Sequence, residues 1–509
     1  MPTHFTLLDG LVLVGFFLIT MGIGFYFRRR SGSVEGFTAA GRSLPGWLCG
    51  LSILATYVSS ISFLALPGKA YAANWNPFVF SLSLPLAAWV GVKWFLPFYR
   101  RNSVISAYSH LEERFGPWAR TYASACYLLI QLVRMGMITY LMALPMTVLL
   151  GWDIRSIIVL TTVLTTIYTL MGGITAVIWT DAFQTVILIG GALTCAVVMI
   201  VGLPEGPGQL WEIATTHDKF SLGSFSWDMT SATFWVVLIY GLVINLQNFG
   251  VDQNYIQRYH AAKSEREARK SLWIGGLLYL PVSAIFFFIG TALFAYYTAR
   301  PEDLAPAYQA ADKADFVFPY FIVTVLPPGV TGLLIAAIFS AAMSTISTSL
   351  NSSATVLLDD YYRRYVNRTA NEQQGMRMLR VATVVWAGLA LLIALLMSTF
   401  VKNALDASWL LAGIFSGGML GLFLLGLLVA KAKSRGAAVG VIAGVVTIAW
   451  MTVSPHWDAW PDVLRSPFHH FLTIVFGTGA VLLTGAIAAL FLDRGNRLGR
   501  PDPTASRSD

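Results

Sequence analysis

Apolar stretches of about 20 residues recur along the whole chain, each long enough to cross a bilayer as a helix. A helix satisfies its own backbone, so such stretches can sit in lipid where open strands cannot. Read in windows of about 19 residues, about thirteen crossings fall at 7–27, 46–72, 78–98, 119–150, 156–171, 182–203, 234–250, 272–297, 329–358, 381–400, 408–430, 437–453 and 471–492. Composition agrees: 56% of the 509 residues are apolar, 12% are charged, and the mean hydropathy is +0.65. A soluble protein carries about twice that charged share. Soluble multi-domain architectures are excluded, and the expected class is an all-α integral membrane protein.

The loops orient the spans. With the N-terminus outside, the inner loops contain Arg28–Arg30, Arg100–Arg101, 257–270, 363–380 and 431–435, which are the basic ones. The outer loops hold Glu205, Glu212, Asp218, Asp228, Glu302, Asp303, Asp312, Asp315, Asp458 and Asp462 with few Lys or Arg. This asymmetry predicts an odd number of spans and a cytoplasmic C-terminus. It also accounts for the net charge of +8 without a nucleic-acid partner. The first apolar run is too long for a cleavable signal peptide and ends in three arginines. Cys49, Cys126 and Cys195 lie in apolar stretches without metal-ligand spacing, and are expected to be buried small hydrophobes.

Two spans depart from plain Leu, Val, Ile and Ala. The second carries Ala55-Thr56-Tyr57-Val58-Ser59-Ser60-Ile61-Ser62, followed by Pro67-Gly68. The ninth carries Ser340 to Ser349, including Ser344, Thr345, Ser347 and Thr348. Both are expected to be interrupted and to meet. A monovalent cation in a low-dielectric medium needs oxygens in place of its water, and freed carbonyls with Ser or Thr hydroxyls supply them. Such residues also let membrane helices pack closely. Asp181, at the mouth of the sixth span, is either an ion ligand or a helix cap. Arg134, mid-span, must face a cavity, an acidic partner or a bound anion, and guanidinium matches a carboxylate in two prongs. Asn245 to Asn254, with Gly250, reads as a further unwound segment or as a polar span end.

Gly41-Arg42 with Pro45-Gly46-Trp47, Ala55 to Ser62, Tyr168 to Asp181, Gln257-Arg258-Tyr259 and Gly332 to Asn351 together resemble the sodium/solute symporters. Pro67 to Tyr71 and Arg134 to Leu141 resemble the bacterial sodium/sialic acid branch. The resemblance implies about 13 transmembrane helices in a leucine-transporter-type fold of two inverted five-helix repeats, with one extra helix before and two after. The divisions would be 1–30 (accessory helix), 46–203 and 234–430 (the repeats), 437–492 (two accessory helices) and 493–509 (a disordered cytoplasmic tail).

It further implies co-transported sodium and no organic cofactor. A first sodium site would use Ala55, Val58, Ala341, Ser344 and Thr345, and a second Asp181, Ser344, Ser347 and Thr348. A substrate carboxylate would meet Arg134, with Thr56, Ser59, Ser60, Ser62, Ser81 and Asn245 around it. Tyr57 and Ser81 depart from the sialic acid branch and reshape its pocket. The expected molecule is a monomeric, multi-pass inner-membrane importer of an acidic sugar such as sialic acid. A neutral sugar, an amino acid or a monocarboxylate is the alternative solute, and proton coupling the alternative drive. A membrane enzyme is disfavoured, because no metal motif, nucleophile elbow or phosphate loop is visible.

Overall fold

The computed structural model describes residues 5–101, 105–310, 313–400, 418–455, 457 and 460–493. Among these residues the protein is helical, and nine helices are long and apolar enough to span a membrane, or up to eleven if each bent pair counts as one span. Residues 408–417 of the expected 408–430 crossing, 494–509 of the tail, Asp312 and Asp458 lie outside the described residues.

The first helix, α1 (Leu7–Phe27), is followed by a pair, α2 (Gly46–Tyr57) and α3 (Ser60–Ala72), bent by 57° at Val58-Ser59. A composite helical run covers Asn76–Arg101. Then come α4 (Pro117–Leu150) and α5 (Ile154–Val201). At 1.5 Å per residue a straight α5 would extend about 72 Å, more than twice the hydrocarbon thickness. It turns at Gly173, where φ is +51° and ψ is −151°, a conformation open to glycine. The Cα of Phe37 would lie 2.8 Å from a Cβ there. The expected boundary between the fifth and sixth spans is this turn.

A second broken pair follows, α6 (Phe234–Gly250) and α7 (Gln253–Ala261), bent by 48°. Next are α8 (Glu265–Ala299), α9 (Val330–Val356), α10 (Glu372–Phe400), α11 (Ser434–Val453) and α12 (Leu472–Leu492). The ninth expected span, α9, is not interrupted, which corrects the sequence expectation. From Leu333 to Val356 it contains neither Gly nor Pro. Its hydroxyls bond back within the helix, as Thr345 Oγ1 does to Ala341 O at 3.1 Å and Ser347 Oγ to Ser344 O at 3.1 Å. The second break belongs to the seventh span, where the Gly250–Asp252 junction lets the chain turn.

The long run containing α9 is the axis of the molecule: 89% of its most apolar window is buried, against 28% for α1. The lower ends of the two broken pairs are stitched together. Leu44 N donates to Ala261 O at 3.0 Å and Lys263 N to Leu44 O at 2.9 Å. The backbone N–H of Gly46, at the start of α2, donates to Glu267 Oε2 of α8 at 2.5 Å. Close packing of α2 on α8 runs through Gly50 and Gly275, whose added Cβ atoms would lie 2.7 Å from Ile274 and 2.2 Å from Ile53.

Candidate functional site

Where α2 ends, Val58 is extended (φ −91°, ψ 103°) and Ser59 caps α3 through Ser62 N at 3.3 Å. The chain therefore turns away from the last carbonyls of α2, which lose their helical N–H partners. Two of them are met from other helices. Ala55 O accepts from Ser344 Oγ of α9 at 3.4 Å, and Thr56 O from Arg134 Nη2 of α4 at 3.4 Å. The break thus puts freed oxygens beside α9 and beside the mid-span arginine.

Ala55, Val58 and Ser344, three members of the first expected sodium set, line a cavity of about 10 Å³ together with Leu54, Gln184, Thr185 and Ser340. That is about the least space that holds one water-sized particle. Ala341 and Thr345 bond to each other just along the helix, and Ser344 Oγ reaches Ala341 O at 3.2 Å. Gln184 escaped the sequence reasoning, and Ser340 entered it only as the start of the hydroxyl patch. Gln184 is fully buried, yet among the described residues neither its Oε1 nor its Nε2 has a hydrogen-bond partner, and Ser340 Oγ has none either. The available signal was spacing: Gln184 lies three residues after Asp181, on the same helix face.

Asp181 is fully buried on α5. Its Oδ2 accepts from Ser52 Oγ at 2.5 Å and from Arg258 Nη2 at 3.2 Å, while Oδ1 has no partner among the described residues. Arg258, on α7, is equally buried; it also donates to Thr348 Oγ1 at 2.5 Å, Ser52 Oγ at 3.0 Å and Asn254 O at 2.6 Å. So the structure joins Asp181 and Thr348 of the second expected set through Arg258, which the sequence reading placed in a basic inner loop and in the Gln257-Arg258-Tyr259 motif but gave no role. One guanidinium ties the lower halves of both broken spans, α2 and α7, to α5 and α9. Ser344 and Ser347 continue the hydroxyl ladder above Thr348.

The expected substrate residues divide. Arg134 is half-buried and, among the described residues, forms no ion pair; Asp252, in the break of the second pair, is within electrostatic reach of it. Thr56 Oγ1 turns back onto Ser52 O at 2.8 Å, and Ser59 and Ser62 lie 3.3 Å apart. Ser60 Oγ and Asn245 Oδ1 are buried without partners. Ser81 bonds instead to Ser283 at 2.9 Å, and Asn245 Nδ2 to Ser83 at 2.9 Å. Tyr57 packs against Phe249, Tyr255 and Tyr279, ring centres 5.8, 5.1 and 5.2 Å away. These rings fill the space between the two breaks.

Two broken spans packed about an intact, hydroxyl-bearing helix, with a cation-sized gap between the first of them, α5 and α9, define a membrane transporter of the broken-helix class. Comparison with known proteins makes the assignment specific. Residues 37–444 match the sodium:solute symporter family, and the chain belongs to that family. It is similar to the sodium/sialic acid symporter NanT of Aliivibrio fischeri, 34% identical over 95% of this chain and 93% of that one. It is also similar to the sodium/sialic acid symporter SiaT of Proteus mirabilis, 33% identical over 98% of each. A solved structure of a Na⁺-coupled sialic acid symporter, substrate-bound and outward-open, superposes with a TM-score of 0.88 at 32% identity, covering 95% of this chain and 98% of that one. The protein is a sodium-coupled symporter, not an enzyme.

Proposed function

We propose that this symporter imports a carboxylate-bearing sugar, sialic acid, across a bacterial inner membrane. The observation that carries the substrate reading is Arg134: a mid-span guanidinium with no ion-pair partner among the described residues, resting on the freed carbonyl of Thr56. An unpaired cation at that depth is costly unless an anion visits it. The sialic acid symporters similar to this chain along nearly their whole length support the same solute.

In this reading sodium enters the gap between Ala55, Val58 and Ser344, with Ala341 and Thr345 completing the shell. The ion holds the end of α2 against α9 and so favours the form that receives solute. Solute on Arg134, with Thr56, Ser59, Ser60, Ser62 and Asn245 nearby, closes the outer path, and rocking of the broken pairs against the remaining helices opens the inner one. A second sodium at Asp181, Ser344, Ser347 and Thr348 has to share Asp181 and Thr348 with Arg258. The two breaks fall in the second and seventh expected spans, five apart, which supports two inverted five-helix repeats. Splitting α5 at Gly173 and completing the 408–430 crossing gives thirteen spans, an outside N-terminus and a cytoplasmic C-terminus; we take the unit to be a monomer.

The test is uptake of radiolabelled sialic acid into proteoliposomes under an inward sodium gradient. Replacing sodium by choline should abolish accumulation, while changing pH at fixed sodium should not drive it. Arg134→Ala should remove sialic acid binding and spare sodium binding. Unchanged sialic acid affinity in that variant would move the substrate to a neutral solute.

A further inference from the structure

Beside the broken-helix core lies an open groove of about 550 Å³, formed by Arg28 just after α1, the end of the first half of α5, and residues 380–385 of α10. Leu170, Val381, Val384 and Val385 make its apolar wall, and Arg28 and Arg380 stand at its polar end. The three valines follow helical spacing, so they form one rail leading from Arg380 into the apolar span. They are about half exposed, at 52%, 51% and 48%. Nearby aromatic rings mark the depth of this end: Tyr26 is exposed, Trp179 stacks on Phe27, and Trp47 meets Trp179 edge-on. Such rings collect where hydrocarbon gives way to headgroups.

What sets the groove apart is that two arginines share its polar end. Some arginines at this end have carboxylates, as Arg120 has Asp360 and Glu112, Arg269 has Glu265, Arg363 has Asp359 and Arg364 has Glu112, and others, Arg29, Arg30 and Arg368 among them, form no ion pair among the described residues. Among the described residues Arg28 and Arg380 form no ion pair. Both are exposed at the end of an apolar wall, so an anion that carries an apolar chain matches both the charge and the lining of the groove. We infer that this groove binds an anionic phospholipid of the inner leaflet, its phosphate between Arg28 and Arg380 and an acyl chain along Val381, Val384 and Val385. A basic pocket between membrane helices on the cytoplasmic side is suited to such a headgroup. The wall includes Met171, next to the Gly172-Gly173 turn of α5, so the lipid touches the hinge ahead of Asp181. The inference uses the inner-leaflet orientation proposed above and is independent of the transported solute.

Native mass spectrometry tests it on the full chain, purified from vesicles containing phosphatidylcholine and phosphatidylglycerol and washed in detergent. Phosphatidylglycerol should stay bound in preference to phosphatidylcholine. Each basic residue near an anionic surface contributes about fivefold, so Arg28→Gln with Arg380→Gln should lower retention by about 30-fold. Arg29→Gln with Arg368→Gln removes the same charge away from the groove and should retain it. Val384→Trp, which fills the groove without altering charge, should lose it. Equal retention of the two lipids, or equal loss from both double variants, means a bulk lipid annulus only and overturns the inference. Because the readout is lipid mass, a failed sialic acid assay would leave this result standing.

Discussion

Asp181 and Arg258 are both fully buried, and each leaves the other exposed to an uncompensated charge if it is lost. Breaking a buried pair from one side costs about 3–5 kcal/mol, because the desolvation of the remaining ion is no longer offset. Asp181→Asn should therefore lower the melting temperature of the purified protein sharply. Asp181→Asn combined with Arg258→Met should recover most of that loss while leaving sodium-driven uptake impaired; a single variant as stable as the parent would refute the pairing argument. Gln184 makes the opposite case. Its amide is buried with no partner on either polar atom, a state that costs about 1–3 kcal/mol per group. Gln184→Leu should accordingly raise the melting temperature. If the amide oxygen serves the cation, the same variant should need more sodium for half-maximal uptake. A variant that is more stable but unchanged in its sodium requirement would remove Gln184 from the ion path.

The most deeply buried element, α9, is anchored by the first helix of the chain. Asp9 of α1 places Oδ1 on the backbone N–H groups of Gly329 and Gly332, each at 2.7 Å, and Oδ2 on Thr6 N and Oγ1 at 2.9 and 2.6 Å. The first N–H groups of a helix have no internal acceptor, so α1 here caps the helix that carries the proposed sodium ligands. Asp9→Ala should cost about 0.5–2 kcal/mol, as loss of a capping side chain does, with Asp9→Asn costing less. Thermal melting of the two variants checks the order. The turn of α5 depends on one residue in the same sense. Gly173→Ala puts a Cβ into a left-handed conformation and against Phe37, so the variant should assemble poorly, visible as faster proteolysis between the two halves of α5.

On the scale of the whole molecule, the proposed sodium site bridges elements distant in sequence, so sodium should stabilise the assembled protein by mass action. At about 100 times its dissociation constant a ligand adds about 2.7 kcal/mol. Melting in sodium chloride against choline chloride measures this, and equal melting in both would discard the cavity at Ala55 and Ser344 as an ion site. Reciprocity demands that the transported solute, sialic acid as proposed, raise sodium affinity by the factor by which sodium raises the solute's affinity. Apolar runs, loop charges, the hydroxyl patch of α9 and the odd placement of Asp181 and Arg134 are one-dimensional properties, and each was legible in the chain. Which polar span breaks was less so: Ser and Thr bond their own helix as readily as an ion, and α9 stayed whole while Gly250–Asp252 gave way. Arg258 stood among basic residues that hydropathy assigns to a cytoplasmic loop, and its partner lies 77 residues away. The sequence by itself determined a helical membrane protein with oxygen-rich spans, because bilayer crossing depends on local polarity. Only the tertiary structure decided which oxygens face one another, which arginine neutralises Asp181 and which does not, because those pairings depend on how separate helices pack.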